Sequence, residues 1–442
     1  MDSLLIENGT VVTLGEVNRI LHRHDVACEG GLITAIAPHG TIAGPHERVI
    51  DASGTVVMPG FINAHMHFYS TLVRGLGKAK PSADFRQVLE NLWWRLDRKL
   101  DLDDCYYSAL VVLIEAVRHG TTTLFDHHAS SSAVRGSLDA LARAVKHVGV
   151  RASLCYELSD RDGPEVARAG VEENVAFIKR CRAEKDARLV AMFGLHAAFT
   201  LSDATLERAA AAGRELGAGF HVHVAEAASD QEHNQREFGL RVVERLEKFG
   251  ILGQQSIAAH CVHVSSREIE LLAETDTAVA HNPQSNMNNA VGVADVPWMV
   301  RKGVLVGLGT DAMTVNMLEE VRAALFVRHL AERNPSAAFV ETLSTLLVNN
   351  ARIANRHFPV CLGELREGCA ADLVLVDYLP PTPLDEGTFL GHLAFGISQG
   401  SVDTTIVGGN VLMASKRLEL DLDEKEVAAK AHERAKALWE RF

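Results

Sequence analysis

Apolar and polar positions change rhythm twice along the 442-residue chain. Over residues 1–58, short runs at 4–12, 26–28, 32–37 and 49–50 alternate or cluster as half-buried strands do, with Gly and Pro between them. No long helical period occurs there, so this segment reads as a small β-rich unit. From Phe61 onward, apolar runs of strand length recur at 61–67, 122–128, 151–158, 189–196, 219–226, 256–263, 278–281 and 304–311. Segments with helical spacing lie among them, at 102–118, 134–148, 165–184, 204–216 and 237–249. Eight buried strands alternating with helices over 61–311 predict an α/β chain of the (β/α)8 TIM-barrel type. The same alternation also fits a doubly wound open sheet. One long insertion, from Tyr69 to about Leu102, follows the first of these strands and reads as a lid or a substrate wall.

Beyond Asp311 the spacing is helical at 317–333 and 337–357. Strand character then returns at 371–377 and in a pair of strands over 403–413, around Gly408-Gly409-Asn410. The tail, 423–442, carries Val427, Ala431, Ala435 and Leu438 on one face and reads as a surface helix docked by a thin apolar stripe. The expected organisation is a β-rich unit at 1–58, a barrel at 59–358, and a β-rich unit with a terminal helix at 359–442.

Composition narrows the function classes. Apolar residues make up 47% and charged residues 23%, enough for a sizeable core. The net charge of −13 comes with no Lys/Arg cluster, which disfavours nucleic acid and anionic membranes as partners and favours a neutral or cationic small molecule. Seven scattered cysteines without a Cys-x-x-Cys read as reduced thiols of a cytoplasmic protein. They also exclude the zinc deaminases that hold their metal with one His and two Cys. The first residues have no basic region, so no signal peptide is expected, and no apolar run reaches the roughly 20 residues of a membrane span.

The chemistry sits at the predicted strand ends. His65 and His67 are two apart, so on a strand their side chains share a face. The fifth strand ends His221-Val222-His223-Val224-Ala225-Glu226, the sixth His260-Cys261-Val262-His263, and the eighth Gly309-Thr310-Asp311. In a barrel these ends meet at one rim, where imidazoles and a carboxylate suit zinc or ferrous iron. His221 and His223 share a strand face, and either is a candidate ligand. His263 is a candidate outer group, and Asp311 alone also fits a helix N-cap. Cys261 faces away from His260 and reads as core.

These residues fall in motifs. Met58-Pro59-Gly60-Phe61-Ile62-Asn63-Ala64-His65-Met66-His67, Gly194-Leu195-His196-Ala197, His221-Val222-His223-Val224-Ala225-Glu226, Ala259-His260-Cys261, His281-Asn282-Pro283-Gln284-Ser285-Asn286, Gly307-Leu308-Gly309-Thr310-Asp311 and the tail from Gly363 to Val374 span the chain. Together they resemble the amidohydrolase superfamily in its cytosine deaminase, guanine deaminase and triazine hydrolase branch. Asn91-Leu92-Trp93-Trp94-Arg95-Leu96-Asp97 with Asp126-His127-His128-Ala129-Ser130 resembles the SsnA-type aminohydrolases within it.

The resemblance implies a barrel flanked by a β-sandwich built from both termini. It implies one divalent metal ion, zinc first and iron second, held by His65, His67, His223 and Asp311. His260 then stands beside the activated water, and Glu226 is the proton shuttle. The fourth strand has no lysine, which implies one metal rather than two. Glu226 tilts the reading toward deamination of a purine, pyrimidine or related cyclic amidine. Hydrolytic loss of halide or alkylamine from an s-triazine-like ring is the alternative, and a catalytically inactive relative would lack the ligands present here. His196 with Gln284 or Asn286 is expected to hydrogen-bond the heterocycle, and Phe68, Trp93 and Trp94 to stack on it. Asp126-His127-His128 is a further candidate for polar contacts, Arg74 and Arg95 would serve an anionic substrate, and a homodimer is expected.

Overall fold

The computed structural model describes residues 3–442, so residues 1 and 2 of the expected N-terminal unit lie outside the described residues. Five strands precede the first histidine pair: β1 (Ser3–Val12), β2 (Ile20–Glu29), β3 (Leu32–Pro38), β4 (Arg48–Asp51) and β5 (Thr55–Pro59). Nine more carry the central region: β6 (Phe61–Met66), β7 (Thr121–His128), β8 (Arg151–Tyr156), β9 (Leu189–Ala191), β10 (Phe193–Ala197), β11 (Phe220–Val224), β12 (Ile257–His260), β13 (Ala278–His281) and β14 (Val306–Leu308). β15 (Leu373–Asp377), β16 (Val402–Val407), β17 (Asn410–Ala414) and β18 (Arg417–Leu418) follow.

Strands of both termini share one nine-stranded sheet, in the order β18-β17-β16-β15-β5-β1-β2-β3, with β4 pairing β1. The two halves join where β15 runs antiparallel to β5, Val374 opposite Met58. Leu4, Ile6, Val26, Val57, Leu373 and Ile406 form the core of this sheet. The central strands make two parallel sheets, β6-β7-β8-β9 and β10-β11-β12-β13-β14. The expected strand over 189–196 is divided at Met192, because β9 pairs with β8 whereas β10 pairs with β11. Parallel bridges link the two sheets, Met66 to Asp311 and, just past the end of β8, Leu158 to Leu195.

The alternating helices Leu102–Arg118, Ser137–Val148, Pro164–Glu184 and Asp203–Leu216 lie where the spacing predicts them. The helix expected over 237–249 is instead two, Ala228–Phe238 and Val242–Lys248. Gly239, at φ 68°, ends the first in the left-handed conformation that glycine adopts at low cost. The insertion carries short helical turns, Phe68–Val73, Phe85–Val88, Leu89–Trp93 and Trp94–Asp97, with irregular chain over 74–84. The tail helix Glu424–Arg441 buries Val427, Ala431 and Leu438, and Arg434 binds Asp104 at the start of helix Leu102–Arg118. Trp439 Nε1 also donates to the Leu72 carbonyl, so the tail braces the insertion. Among the described residues no helix is long and apolar enough to cross a membrane.

The expectation of seven free thiols is corrected at one pair. Cys361 and Cys369 are disulfide-bonded, with Cα atoms 4.6 Å apart, while Cys28, Cys105, Cys155, Cys181 and Cys261 are free. A turn closed by the Ala370 N–H donating to the Cys361 carbonyl brings the two thiols together.

One buried ion pair ties the terminal sheet to the central strands. Arg151 opens β8 and Asp372 precedes β15; each is 4% exposed. Arg151 Nε and Nη2 donate to the two Asp372 oxygens at 2.6 and 3.0 Å, and Gly408 N also donates to that carboxylate. Asp372→Ala is expected to cost about 3–5 kcal/mol, because it strands a buried guanidinium. A denaturation midpoint unchanged from the parent protein would refute that.

Candidate metal and substrate site

The strand ends converge as the sequence pattern predicts. His65 lies on β6 with His67 just beyond it, His223 on β11, His260 at the end of β12, and Asp311 past β14. Ala225, His260, Cys261 and Asp311 all have φ between 46° and 74°. Non-glycine residues pay about 1–3 kcal/mol for such backbone, which is typically retained where a site needs it. Gly309 allows the close approach beneath: a Cβ there would lie 2.8 Å from His65 Cβ and 2.5 Å from Asn282 Oδ1.

Hydrogen bonds set the imidazoles' orientation. His67 Nδ1 donates to the His127 carbonyl, and His223 Nδ1 donates to the His196 carbonyl at 2.8 Å. His65 Nδ1 pairs with His221 Nε2 at 2.9 Å, and His260 Nδ1 donates to Asn286 Oδ1 at 2.9 Å. Every Nδ1 is thereby engaged outward, which leaves the Nε2 lone pairs facing inward. His67 Nε2 lies 3.3 Å from His223 Nε2 and 2.9 Å from Asp311 Oδ1. The Nε2 atoms of His65 and His260 are buried with no hydrogen-bond partner among the described residues.

Lone pairs and a carboxylate packed this tightly repel one another unless a cation lies among them. A proton on His67 can take that place. Burial disfavours a charged His67, yet the hydrogen bond and charge of Asp311, with the charge of Glu157, raise its pKa to about 10. Burial opposes ionisation of Asp311 too, but the hydrogen bond and charge of His67 and the charges of His260 and His223 hold it well below the usual carboxylate range. The donor set of imidazole nitrogens and one carboxylate fits zinc or a similar divalent ion. His65, His223, His260 and Asp311 offer donor atoms within 4.8 Å of one another, and so do His67, His127, Glu157 and His223.

Glu226 stands at the edge of this cluster. Its Oε1 accepts from Asn289 Nδ2 at 3.2 Å, and its Oε2 lies 3.5 Å from His260 Nε2. Burial, with the charges of Asp311 and Asp230, pushes its carboxyl well above the usual range and so favours the protonated form.

A cavity opens over the cluster. Its lining includes Glu226, Asp311, His196, Trp93, Trp94 and Phe199. Gln284 and Asn286 do not line it: Asn286 faces His260, and Gln284 N caps onto Glu320. The short helix Pro283–Asn288 explains the correction. Positions 285 and 289 share a face, so Ser285, which donates to Asp311, and Asn289 look into the cavity instead. Phe68 is wholly buried outside it. Arg74 pairs with Glu115, and Arg95 packs over Phe442, so neither lines the cavity. Asp126 accepts from Phe68 N, and His128 bonds Ser130. His127 braces the site, with Nδ1 on Glu157 and Nε2 on the His221 carbonyl.

Sequence reasoning missed Glu157, Asp97 and Arg161, all in the cavity wall. Glu157 directly follows β8, so it obeys the strand-end rule that located the histidines. Asp97 and Arg161 form a buried ion pair across 64 positions, for which the sequence carries no local signal.

Residues 56–412 match the profile of the Amidohydrolase family. The chain belongs to the amidohydrolase family. It is 34% identical to a 5-methylthioadenosine/S-adenosylhomocysteine deaminase of Desulforudis audaxviator, covering 99% of each chain. It is 33% identical to a 5'-deoxyadenosine deaminase of Methanosarcina mazei, again over 99% of each. Its structure matches a crystal structure of an adenosine deaminase from Xanthomonas campestris with bound zinc, at a TM-score of 0.85, 25% identity and 98% coverage of both chains. The expectation of an amidohydrolase-type hydrolase of deaminase character is met by the family and by these relatives.

Proposed function

We propose that this chain deaminates an adenine-type nucleoside, replacing the exocyclic amino group by a carbonyl with release of ammonia. The observation that carries the reading is a buried Glu226 with Oε2 3.5 Å from His260 Nε2, beside inward-facing imidazole nitrogens and Asp311. His65, His67, His223 and Asp311 would hold one divalent ion, zinc first. When bound, it supplies a Lewis acid that makes water acidic enough to ionise near neutral pH.

The protein's own groups divide the proton work. His260 Nε2, free of any hydrogen bond, orients the attacking water. Asp311 takes its proton. Glu226 carries its hydrogen on Oε2, since Oε1 accepts from Asn289, and gives it to a ring nitrogen so that the adjacent carbon becomes electrophilic. The water oxygen bonds to that carbon, the proton held by Asp311 passes to the amino group, the C–N bond breaks to release ammonia, and the remaining hydroxyl proton returns to Glu226 as the carbonyl forms. His196 and Trp93 contact the ring from the cavity wall.

The same reading takes the two parallel sheets as one (β/α)8 barrel over 59–358, supported by the two bridges between them, with the termini forming a β-sandwich domain. A homodimer belongs to it too. Exposed Leu330, Val340 and Phe395, on three helices that pack in succession, support that part. Ammonia release from 5'-deoxyadenosine by zinc-loaded protein tests the reading as a whole.

His221 supports His65 without facing the cavity. His221→Ala is expected to weaken zinc retention by about 10–100-fold, read by competition against a chromogenic chelator. Unchanged retention would remove His221 from the site.

A further inference from the structure

Glu157 is 3% exposed, yet only one of its carboxylate oxygens is used by the protein. Oε1 accepts from His127 Nδ1 at 3.1 Å. Oε2 has no hydrogen bond among the described residues; it faces His196 Nε2 at 3.8 Å, and both residues line the cavity. Thr200 gives its hydroxyl hydrogen to the Ala197 carbonyl, so His196 Nδ1 must donate to Thr200 Oγ1. That leaves His196 Nε2 as an acceptor. Two acceptors therefore confront each other across the cavity with no donor between them.

The rest of the wall is poor in cationic groups. Asp97, Asp230, Glu226 and Asp311 line it, and Arg161 is the only Arg or Lys among the lining residues described. Arg161 Nη2 binds Asp97 and its Nε lies 3.3 Å from Asp162 Oδ2, so two carboxylates already balance its charge. Among the described lining residues no uncompensated Arg or Lys remains for a carboxylate or a phosphate.

We propose that Glu157 is a specificity residue: its open oxygen accepts an N–H or O–H hydrogen from a neutral or cationic substrate and turns anionic substrates away. This rests on the deaminase reading, and it divides neutral adenine nucleosides from anionic nucleotides. 5'-Methylthioadenosine is neutral and carries donors, whereas adenosine 5'-monophosphate carries a negative phosphate on the same base.

The test compares kcat/KM for 5'-methylthioadenosine and adenosine 5'-monophosphate in zinc-loaded wild type and in Glu157→Gln. Wild type should favour the neutral substrate by at least about tenfold. Glu157→Gln should lose about 10–100-fold on it, the worth of a hydrogen bond to a charged group, and lose less on the anionic one, so that the ratio narrows while zinc content holds. A merely structural role for Glu157 would lower both substrates by one factor, and an unchanged ratio overturns the proposal. Equal use of the two substrates by wild type also overturns it, and needs no variant should Glu157→Gln fail to fold. If zinc-loaded wild type deaminates no nucleoside at all, the deaminase reading itself fails, and this proposal with it.

Discussion

Glu226→Gln should abolish nearly all turnover while leaving the metal site loaded. The carboxyl is buried at the cavity edge, 3.5 Å from His260, and burial with the charges of Asp311 and Asp230 raises its pKa. An amide keeps its size and its partnership with Asn289 but cannot pass a proton. General acid–base groups typically contribute about 10²–10⁴-fold, so kcat should fall by that much. Zinc content should stay at the parent level, because Glu226 is outside the proposed ligand set. A variant that turns over normally removes Glu226 from the mechanism. A variant that loses its zinc places Glu226 among the ligands.

Stripping the metal should have the largest effect of all. Removing a zinc ion restores its water from a pKa near 7 to that of bulk water, about 15.7. Chelated protein should fall to below about one-thousandth of its activity, and added zinc should restore it. The fold should persist, because the ion pair of Arg151 with Asp372 and the core of the terminal sheet lie apart from the histidines. The empty cluster should also respond to acid. His67 then carries a proton, since Asp311 and Glu157 favour positive charge there. Rebinding of zinc must displace that proton, and so should weaken as pH falls below about 10.

Much of this site was legible before any coordinates. His65, His67, His223, His260 and Asp311 sit at strand ends, and strand ends follow from apolar runs of fixed length. The rule works because a parallel strand buried on both faces must be apolar until it reaches the rim. Glu157 obeys the same rule and was overlooked because it has no neighbouring histidine to draw attention. Gln284 and Asn286 were misplaced for another reason. They follow β13 on a helical turn, where the phase of the helix decides which side chains look inward, and that phase belongs to Ser285 and Asn289. The pairing of Asp97 with Arg161 depends on how the insertion folds back over β8, and the pairing of Cys361 with Cys369 on a turn. Neither follows from local periodicity. The divided strand at Met192 is of the same kind, since a change of pairing partner leaves no mark on an apolar run.

The most direct test of the account is ammonia release by protein of measured zinc content, across 5'-methylthioadenosine, 5'-deoxyadenosine, adenosine and a chlorotriazine. The account predicts ammonia in stoichiometry with loss of the adenine chromophore for at least one nucleoside, and none after chelation. Zinc-loaded protein that releases no ammonia from any nucleoside, or releases chloride from the triazine alone, would contradict it.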